Sequence, residues 1–386
     1  MRSLSPIRIV MGLLLWAGLG LCLGLPSAAA QSLPDEAPRA LRQFDTDWTQ
    51  HTIDLSTLKS GGPSKDQIPA LDHPSFVSVA DARDWISPQE PVISVEHNGV
   101  ARAYPLQILT WHEIVNDRLG GTPVAVTFCP LCYSALVFDR RVDGETLSFG
   151  VSGLLRHSDL VMFDRGTETL WQQFTGEAIF GDRVGDTLTK IPSQILSFKQ
   201  FADTYPDARV LSRDTGYDRP YGRNPYAGYD DVDTRPFMLD GPTDGRLPPM
   251  EKVVAITVGD THKAYRRATT QEKRVIHDTV SGQPLVLFHA PGAVSALDAG
   301  RIAQSKEIGS TGVFERQIDG RALTFQYEEE GRFTDEQTGS TWTVTGRATD
   351  GPLAGTQLAR IEHGDYFAFA WFAFRPDAVL YTADDS

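Results

Sequence analysis

Short runs of β-forming residues, separated by glycine, proline and asparagine, follow one another along most of the chain. Residues 91–96 and 101–104 are two such runs, and the Asn98-Gly99 dipeptide between them is typical of a tight hairpin turn. Pro105 then begins a segment with apolar residues at helical spacing, which Gly120-Gly121 ends. We therefore predict a hairpin of two strands, followed by a helix over residues 105–118.

The next segment contains two predicted strands that meet at a proline turn. Val124, Val126 and Phe128 alternate as β-formers, Pro130 cannot donate to a strand ladder, and residues 134–138 are again β-forming. Alternating apolar residues then continue to about Phe174. The pattern predicts an α+β fold, made mainly of short antiparallel strands with a few helices.

The chain also repeats itself, which predicts two tandem homologous units. Residues 99–136 match residues 260–297 without a gap, at an offset of 161 positions. After an insertion in the second copy, the match resumes and extends to the chain's later segments. The matched residues include Ala103-Tyr104 with Ala264-Tyr265, Ser134-Ala135-Leu136 with Ser295-Ala296-Leu297, Phe138 with Phe314, and Asp164, Thr167 and Trp171 with Asp335, Thr338 and Trp342.

These patterns divide the chain into five segments. They are a signal peptide (1–30), an extended lead-in (31–67), a first repeat unit that contains a cysteine pair (68–212), a connecting loop rich in tyrosine, glycine and proline (213–250), and a second, cysteine-free repeat unit (251–386). The signal peptide is indicated by Arg2 and Arg8, an apolar run over residues 9–25, and Ala28-Ala29-Ala30. We expect a periplasmic or secreted protein with no stable membrane span after signal cleavage, because this run is short for a span.

Composition and charge narrow the classes of partner. A chain of 386 residues with 41% hydrophobic content is long enough for at least two globular cores. Removal of residues 1–30 takes away two arginines and no acidic residue, so the formal net charge changes from −14 to −16. Nucleic acids and anionic membrane surfaces need a positive field, and the sequence predicts that neither is a partner.

The mature chain keeps two cysteines, Cys129 and Cys132, and the repeat shows that the fold does not require them. Their counterparts in the second unit are Ala290 and Ala293, whereas Pro130 between them is retained as Pro291. A disulfide that closes so short a loop stabilises by about 2 kcal/mol at best. We infer that the sulfurs serve chemistry rather than structure.

Three hypotheses compete for this pair. The leading one is a thiol-disulfide redox role for Cys129 and Cys132, with His112 as proton donor and a periplasmic protein thiol or disulfide as partner. The first alternative is a zinc or copper site formed by Cys129, Cys132 and a histidine, either His112 or His157. The second alternative is a non-enzymatic protein with a structural disulfide, in which the tyrosine-rich loop binds a sugar or a peptide. The redox and ligand-binding hypotheses need no cofactor.

Other polar residues near the pair give weaker signals. His112 and Asn116 lie four positions apart and would share one face of the predicted helix. Residues 156–159 form a polar cluster that a solvated turn also explains. Gln172 and Gln173 are candidates for the lining of a ligand cleft.

Four separated motifs resemble one known family. They are AYPLQILTWHEIVND, GGTPVAVTFCPLCYSALVFDR, SGLLRHSDLVMFDRGTETLWQQFTGEA and DTGYDRPYGRNPYAGYD, and they occur in the order found in the exported proteins of the domain of unknown function 3179 family. The resemblance covers the chain from about Ile68 to the end of the tyrosine-rich loop. It implies a bacterial exported protein and points to Cys129 and Cys132, but the family supplies no established activity. His157 stands where the family motif has asparagine.

Overall fold

The computed structural model describes residues 39–239 and 241–382. The predicted signal peptide lies outside these residues. In residues 39–239 the helices are α1 (Val79–Ala82), α2 (Leu106–His112) and α3 (Phe198–Thr204). The strands are β1 (Leu58–Ser60), β2 (Phe76–Ser78), β3 (Pro91–His97), β4 (Val100–Pro105), β5 (Ile114–Leu119), β6 (Thr122–Cys129), β7 (Ser134–Asp139), β8 (Arg141–Val142), β9 (Glu145–Thr146), β10 (Phe149–Arg156), β11 (Asp159–Asp164), β12 (Leu170–Gln172), β13 (Ala178–Phe180), β14 (Lys190–Ile191), β15 (Ser193–Ser197) and β16 (Arg209–Leu211).

The later part of the chain has a similar series of elements. Its helices are α4 (Arg267–Lys273) and α5 (Ala368–Phe374). Its strands are β17 (Lys252–Val258), β18 (Thr261–Arg266), β19 (Val275–Val280), β20 (Gln283–Ala290), β21 (Ser310–Glu315), β22 (Gln317–Ile318), β23 (Arg321–Ala322), β24 (Phe325–Tyr327), β25 (Arg332–Asp335), β26 (Thr341–Thr343), β27 (Ala348–Asp350), β28 (His363–Phe367) and β29 (Val379–Leu380). Four short 3-10 helices complete the described structure: Arg39–Gln43, Leu55–Thr57, Ile302–Gln304 and Glu329–Gly331.

Three sheets organise the first part of the chain. Their strand orders are β15-β3-β4-β16-β2, β14-β7-β6-β5 and β1-β10-β11-β12-β13. The β3–β4 hairpin turns at Asn98 and Gly99, which both have positive φ (50° and 75°), as a two-residue turn of this type requires. Almost every pairing is antiparallel, β4 with β16 being parallel.

The second part repeats many of these pairings in the same register, but its described residues form no strand equivalent to β1 or β2. Its sheets have the orders β28-β17-β18-β29, β19-β20-β21 and β24-β25-β26-β27. One side-chain motif occurs twice: the Asp164 carboxylate accepts hydrogen bonds from Thr167 N (2.7 Å) and Trp171 Nε1 (3.0 Å), and the Asp335 carboxylate accepts them from Thr338 N (2.6 Å) and Trp342 Nε1 (2.9 Å). The common origin of the two parts and the five predicted segments stay predictions.

The predicted fold class is confirmed, but the predicted helix over residues 105–118 is wrong in its second half. Helix α2 ends at His112, Glu113 has a φ of 59°, and Ile114 begins strand β5. The β-branched residues Ile114 and Val115 pair with Thr127 and Val126 of β6. Tertiary pairing therefore outweighs the helical spacing of the apolar positions.

At one place, the structure differs from the alignment of the two predicted repeat units. Strand β7 begins at Ser134, which pairs with Cys129, and the corresponding partner of Ala290 is Ser310 of β21 rather than Ser295. Residues 295–297, matched to Ser134-Ala135-Leu136 by sequence, lie in a loop. The insertion in the second part therefore falls between Ala293 and Ser310.

The two parts are closely packed and belong to one compact unit. The backbone N–H of Phe367, at the end of β28, donates to the carbonyl of Cys132 (3.0 Å). Phe374 of α5 stacks on Phe174 with ring centroids 4.6 Å apart. The turn that contains the cysteines is thus covered by the later part of the chain.

Within residues 39–239 and 241–382, the structure contains no helix long and apolar enough to cross a membrane.

Candidate functional site: a buried cluster of two cysteines and an aspartate

A tight turn between β6 and β7 brings the two cysteines together. Cys129 ends β6, and Tyr133 at the end of the turn has a left-handed φ of 57°. The Tyr133 ring packs edge-on against Phe128 and Phe367, and its hydroxyl accepts a hydrogen bond from Ala296 N (3.3 Å). The strained backbone at Tyr133 is held by these contacts on both sides. Both cysteines are buried and free, so the structural disulfide of the third hypothesis is absent.

A carboxylate completes the cluster. The ligand atoms of Cys129, Cys132 and Asp159 all lie within 4.8 Å of one another, and all three residues are buried. Among the residues that the structure describes, this is the only such group of three potential metal ligands. Asp159 begins β11 directly after His157 and Ser158, whose φ values of 50° and 70° form the tight turn of the β10–β11 hairpin.

Buried polar groups fix the orientation of Asp159. Its Oδ2 accepts hydrogen bonds from Gln172 Nε2 (2.7 Å) and from the backbone N–H of Phe174 (3.0 Å). Its Oδ1 has a longer contact with Ser134 Oγ (3.3 Å), and the Cys129 and Cys132 thiols also hydrogen-bond with the Asp159 carboxyl. The single hydroxyl hydrogen of Ser134 has a closer acceptor in Gln173 Oε1 (2.8 Å). The carboxyl group is therefore oriented through Oδ2, and it lies within reach of both thiols.

The cluster has a strongly acidic composition for a buried site. Burial raises the pKa of the Cys129 thiol, and the neighbouring Asp159 and Glu113 carboxyls add to this rise. Burial raises the pKa of the Cys132 thiol well above its usual value. It also raises the pKa of Asp159 to about 7 and the pKa of Glu113 to about 8. In the absence of a cation, the thiols hold their protons at neutral pH.

A basic side chain, Arg156, contacts the cluster through Gln172. Arg156 Nη1 donates to Gln172 Oε1 (3.4 Å), and the amide nitrogen of the same glutamine donates to Asp159. Burial lowers the pKa of Arg156, and its guanidinium lies 5.5 Å from the centroid of the Phe374 ring. Arg156 is therefore a more distant partner of Asp159 than the amide that lies between them.

The predicted site residue His112 lies outside this cluster. Its Nδ1 bonds with the carbonyl of Pro69 (2.7 Å), and its Nε2 bonds with the Tyr221 hydroxyl (2.6 Å). Both ring nitrogens are thus engaged, and burial lowers the pKa of His112. His157, the other candidate ligand, packs edge-on against the Phe374 ring at 5.4 Å and is not in the group.

The tyrosine-rich segment covers the cluster. The Tyr229 hydroxyl donates to the carbonyl of Leu131 (3.2 Å), which lies between the cysteines, and accepts from Phe237 N (3.1 Å). The Tyr226 hydroxyl and the Glu113 carboxyl hydrogen-bond to each other. A cavity of about 290 Å³ lies against Glu113, Leu131 and these two tyrosines.

The residues present fit a thiophilic metal ion. Thiolate sulfurs favour zinc and copper over magnesium or calcium, and carboxylate oxygens also bind zinc. Gln172 and the Phe174 N–H form the outer hydrogen bonds that position a ligating carboxylate in such sites. The structure thus supplies two sulfurs, one oxygen and their supporting bonds.

Sequence reasoning found the cysteines but gave the aspartate no role of its own. Asp159 belongs to the polar cluster at residues 156–159, for which a solvated turn is an equally good sequence explanation, yet its side chain is fully buried. Gln172 and Gln173 are also fully buried, and they orient Asp159 and Ser134 rather than line a cleft. The sequence signal was the position of Asp159 directly before the continuous apolar run of residues 160–163, which is typical of a strand buried on both faces.

Comparison with curated proteins finds no match, and comparison with solved structures finds none either. A family model matches residues 65–378, which include the cysteine turn, the β10–β11 hairpin and nearly all of the second part. The chain belongs to the family described as "Protein of unknown function (DUF3179)".

Proposed function

We propose that this protein is an exported metal-binding module that holds one zinc or copper ion on Cys129, Cys132 and Asp159. The observation that supports it is the convergence of two sulfurs and a carboxylate oxygen within 4.8 Å in a buried site. Three protein ligands are the number found in catalytic zinc sites, where the fourth position takes water or substrate. The arrangement therefore suits an ion that stays accessible to a small ligand.

The charge of the buried site also favours metal binding. Two thiols and two carboxyls, those of Asp159 and Glu113, are buried together, and burying anions without a cation is costly. A bound ion compensates the negative charge of its deprotonated ligands. Asp159 reaches this position already oriented by Gln172 and Phe174, so metal binding need not order it.

The expected periplasmic or secreted location gives a chemical reason for a bound metal ion. Export is part of the proposal, since the predicted signal peptide lies outside the described residues. Two free thiols so close together would be oxidised in the periplasm unless a reductant or a metal held them. A tightly bound ion protects both sulfurs at once.

The test uses full-length mature protein, stripped with a chelator under reducing conditions. Titration with Zn²⁺, and separately with Cu⁺, against a competing chromophoric chelator should give one equivalent bound with a measurable Kd. Asp159→Asn should weaken binding by about a hundredfold, because the amide oxygen is a neutral and poorer ligand. Glu330→Gln is the matched control, since Glu330 is exposed in the second part of the chain.

Two results would contradict the proposal. One is the absence of stoichiometric binding of either ion to folded wild-type protein. The other is an Asp159→Asn variant that binds as tightly as the Glu330→Gln control.

Thiol-disulfide exchange is the second candidate, and the free state of both cysteines supports it. One thiolate would attack a partner disulfide and release a partner thiolate, and the other cysteine would then resolve the mixed disulfide, so that two electrons pass to the partner. Burial and the raised pKa of both thiols oppose the first step. His112 as proton donor stays a prediction.

The redox candidate has its own test. Cys132→Ser should trap mixed disulfides with periplasmic proteins, visible on a non-reducing gel and absent from the Cys129→Ser, Cys132→Ser double variant. A gel without trapped species, together with stoichiometric metal in the wild type, would exclude this candidate in favour of the metal module.

A further inference from the structure

A cavity of about 290 Å³ lies beside the metal-ligand cluster. Its walls come from residues 61–68, the end of helix α2 at Glu113, the cysteine turn at Leu131, strands β10 and β11, and the tyrosine-rich segment. Most of the wall is apolar, including Ile68, Leu155 and Leu160. A dry apolar cavity of about half this volume is large enough for benzene, so this one has room for a two-ring molecule or a short branched chain.

Polar groups line only one part of the cavity. They are the carboxyl of Glu113 and the hydroxyls of Tyr226 and Tyr229. The Tyr229 hydroxyl is already used by Leu131 O and Phe237 N, whereas Glu113 and Tyr226 bond mainly to each other. A ligand with one polar group can share the hydrogen bonds of the Glu113–Tyr226 pair.

The same wall separates the cavity from the cluster. Leu131 lies between the two cysteines in sequence, and Leu160 follows Asp159 directly. The backbone N–H of Phe128, the residue before Cys129, donates to the carbonyl of Glu113 (2.8 Å). A molecule in this cavity therefore lies one layer of side chains away from the proposed ion.

The tyrosine-rich segment forms an exposed edge of the cavity. Phe237 lines the cavity and is 42% exposed, although its backbone is fixed by Tyr229 and Ser158. An aromatic ring that is half in water at the edge of an apolar cavity marks a route for an apolar molecule.

We propose that this cavity binds a small, uncharged and largely apolar molecule, with its single polar group at Glu113 and Tyr226. A charged head group would lose its hydration among apolar walls that offer no compensating charge. This inference goes beyond metal binding, because the cavity walls contain none of the three proposed metal ligands.

The probe is 2-naphthol, whose fluorescence reports transfer from water to an apolar site. Titration into full-length mature protein should show saturable binding of one equivalent. Naphthalene-2-sulfonate has the same rings with a permanent charge, and it should bind at least tenfold more weakly. The two probes together separate recognition of the apolar body from attraction to the protein surface.

Two variants locate the binding site. Leu155→Trp fills the cavity and should weaken 2-naphthol binding by about tenfold or more, with Val100→Trp, at an exposed position of β4, as its control. Phe237→Asp places a charge at the cavity edge without disturbing the core, and should have a similar effect. Its control is Val232→Asp, an exposed residue of the same segment that does not line this cavity.

The binding measurements on these variants can support or contradict the proposal. If Leu155→Trp fails to unfold cooperatively in urea, the exposed pair Phe237→Asp and Val232→Asp decides the result alone. Absence of saturable binding, equal affinity for the sulfonate, or unchanged affinity in Phe237→Asp would overturn the proposal.

A separate arm distinguishes the cavity from the metal site. The Cys129→Ala, Cys132→Ala variant should lose metal binding and still bind 2-naphthol within about threefold of the wild type. If the wild-type protein binds metal but not 2-naphthol, the cavity proposal is refuted and the metal-site proposal is unaffected.

Discussion

Two turns of this molecule end equivalent strands, yet only one of these two turns carries cysteines. Cys129 ends β6 and pairs with Ser134, and Ala290 ends β20 and pairs with Ser310. Ala290 and Ala293 are as fully buried as the cysteines that they replace. The strand-turn-strand unit is therefore built and buried without sulfur.

The third ligand is missing from the second turn as well. The hairpin that carries Asp159 runs for 16 residues from Phe149 to Asp164, which pair with each other. Its counterpart runs for 11 residues, from Phe325 to its partner Asp335. The five missing residues lie at the tip of the hairpin, where Asp159 sits in the first part.

The comparison teaches that the two sulfurs and the carboxylate occur together and are absent together. If the two sulfurs had a structural role, we would expect a larger apolar residue at each of the equivalent positions in the second turn. The second turn has only alanines there, and Pro291 and Gly292 line an open cavity of about 590 Å³. The cluster is an addition to the fold rather than one of its supports.

The largest expected effect comes from giving the first turn the residues of the second. Cys129→Ala, Cys132→Ala removes two of three ligands, so metal affinity should fall by about a thousandfold or more. The free energy of unfolding of the metal-free protein should fall by only about 1–3 kcal/mol, the cost of two small cavities. Urea unfolding and chelator competition measure the two quantities, and a variant that no longer folds would show that the sulfurs support the structure.

A smaller effect is expected from the residue that orients Asp159. Gln172→Met keeps the volume but removes the 2.7 Å hydrogen bond to Oδ2, and metal affinity should fall by about ten- to a hundredfold. Gln326→Met, at an exposed position of the second part, should leave it unchanged. Equal affinities in the two variants would mean that Asp159 does not depend on this contact.

A buried histidine should make the second part sensitive to acid. His289 stands where the first part has Phe128, and burial, with Arg267 and Arg274 nearby, lowers its pKa to about 3. The unfolded chain then binds one more proton than the folded chain as pH falls from about 6.5 towards 3, so stability falls by up to about 1.4 kcal/mol per pH unit in that window.

His289→Phe tests this by copying the first part. Below pH 6, the slope of the free energy of unfolding against pH should decrease by the amount that corresponds to about one bound proton. His51→Phe, at an exposed position, should leave this slope as in the wild type. An unchanged slope in His289→Phe would assign the acid sensitivity to other buried groups.

The smallest effect is expected at His112. Its two ring nitrogens are engaged by Pro69 O and Tyr221, and the second part has Lys273 at this position. His112→Gln should therefore change metal affinity by less than about threefold. A loss of a hundredfold would restore the ligand set of Cys129, Cys132 and His112 predicted from sequence.

The sequence predicted the strands well because alternation and turn residues are local signals. Asn98-Gly99 and the proline at position 130 marked two turns correctly. It failed where tertiary pairing decides, as in β5, whose residues have helical spacing but pair with β6. The match of Ser295-Ala296-Leu297 to the start of β7 failed for a similar reason, because three residues do not specify a strand without its partner.

The site was predicted in its sulfurs and not in its carboxylate. Cysteines are rare enough in this chain to attract attention, whereas Asp159 is one of 50 acidic residues. Its burial depends on the length of the β10–β11 hairpin and on the packing of α5 against Phe174, which are distant in sequence. Only the fold shows that Asp159, rather than His112, lies beside the cysteines.

The most direct test of the central claim is the X-ray absorption spectrum of the zinc- or copper-loaded protein. We predict two sulfur neighbours, near 2.3 Å for zinc, with at least one oxygen near 2.0–2.2 Å, and the loss of the sulfur shell in Cys129→Ala, Cys132→Ala. A coordination shell of nitrogen and oxygen alone, unchanged by that substitution, would contradict the account.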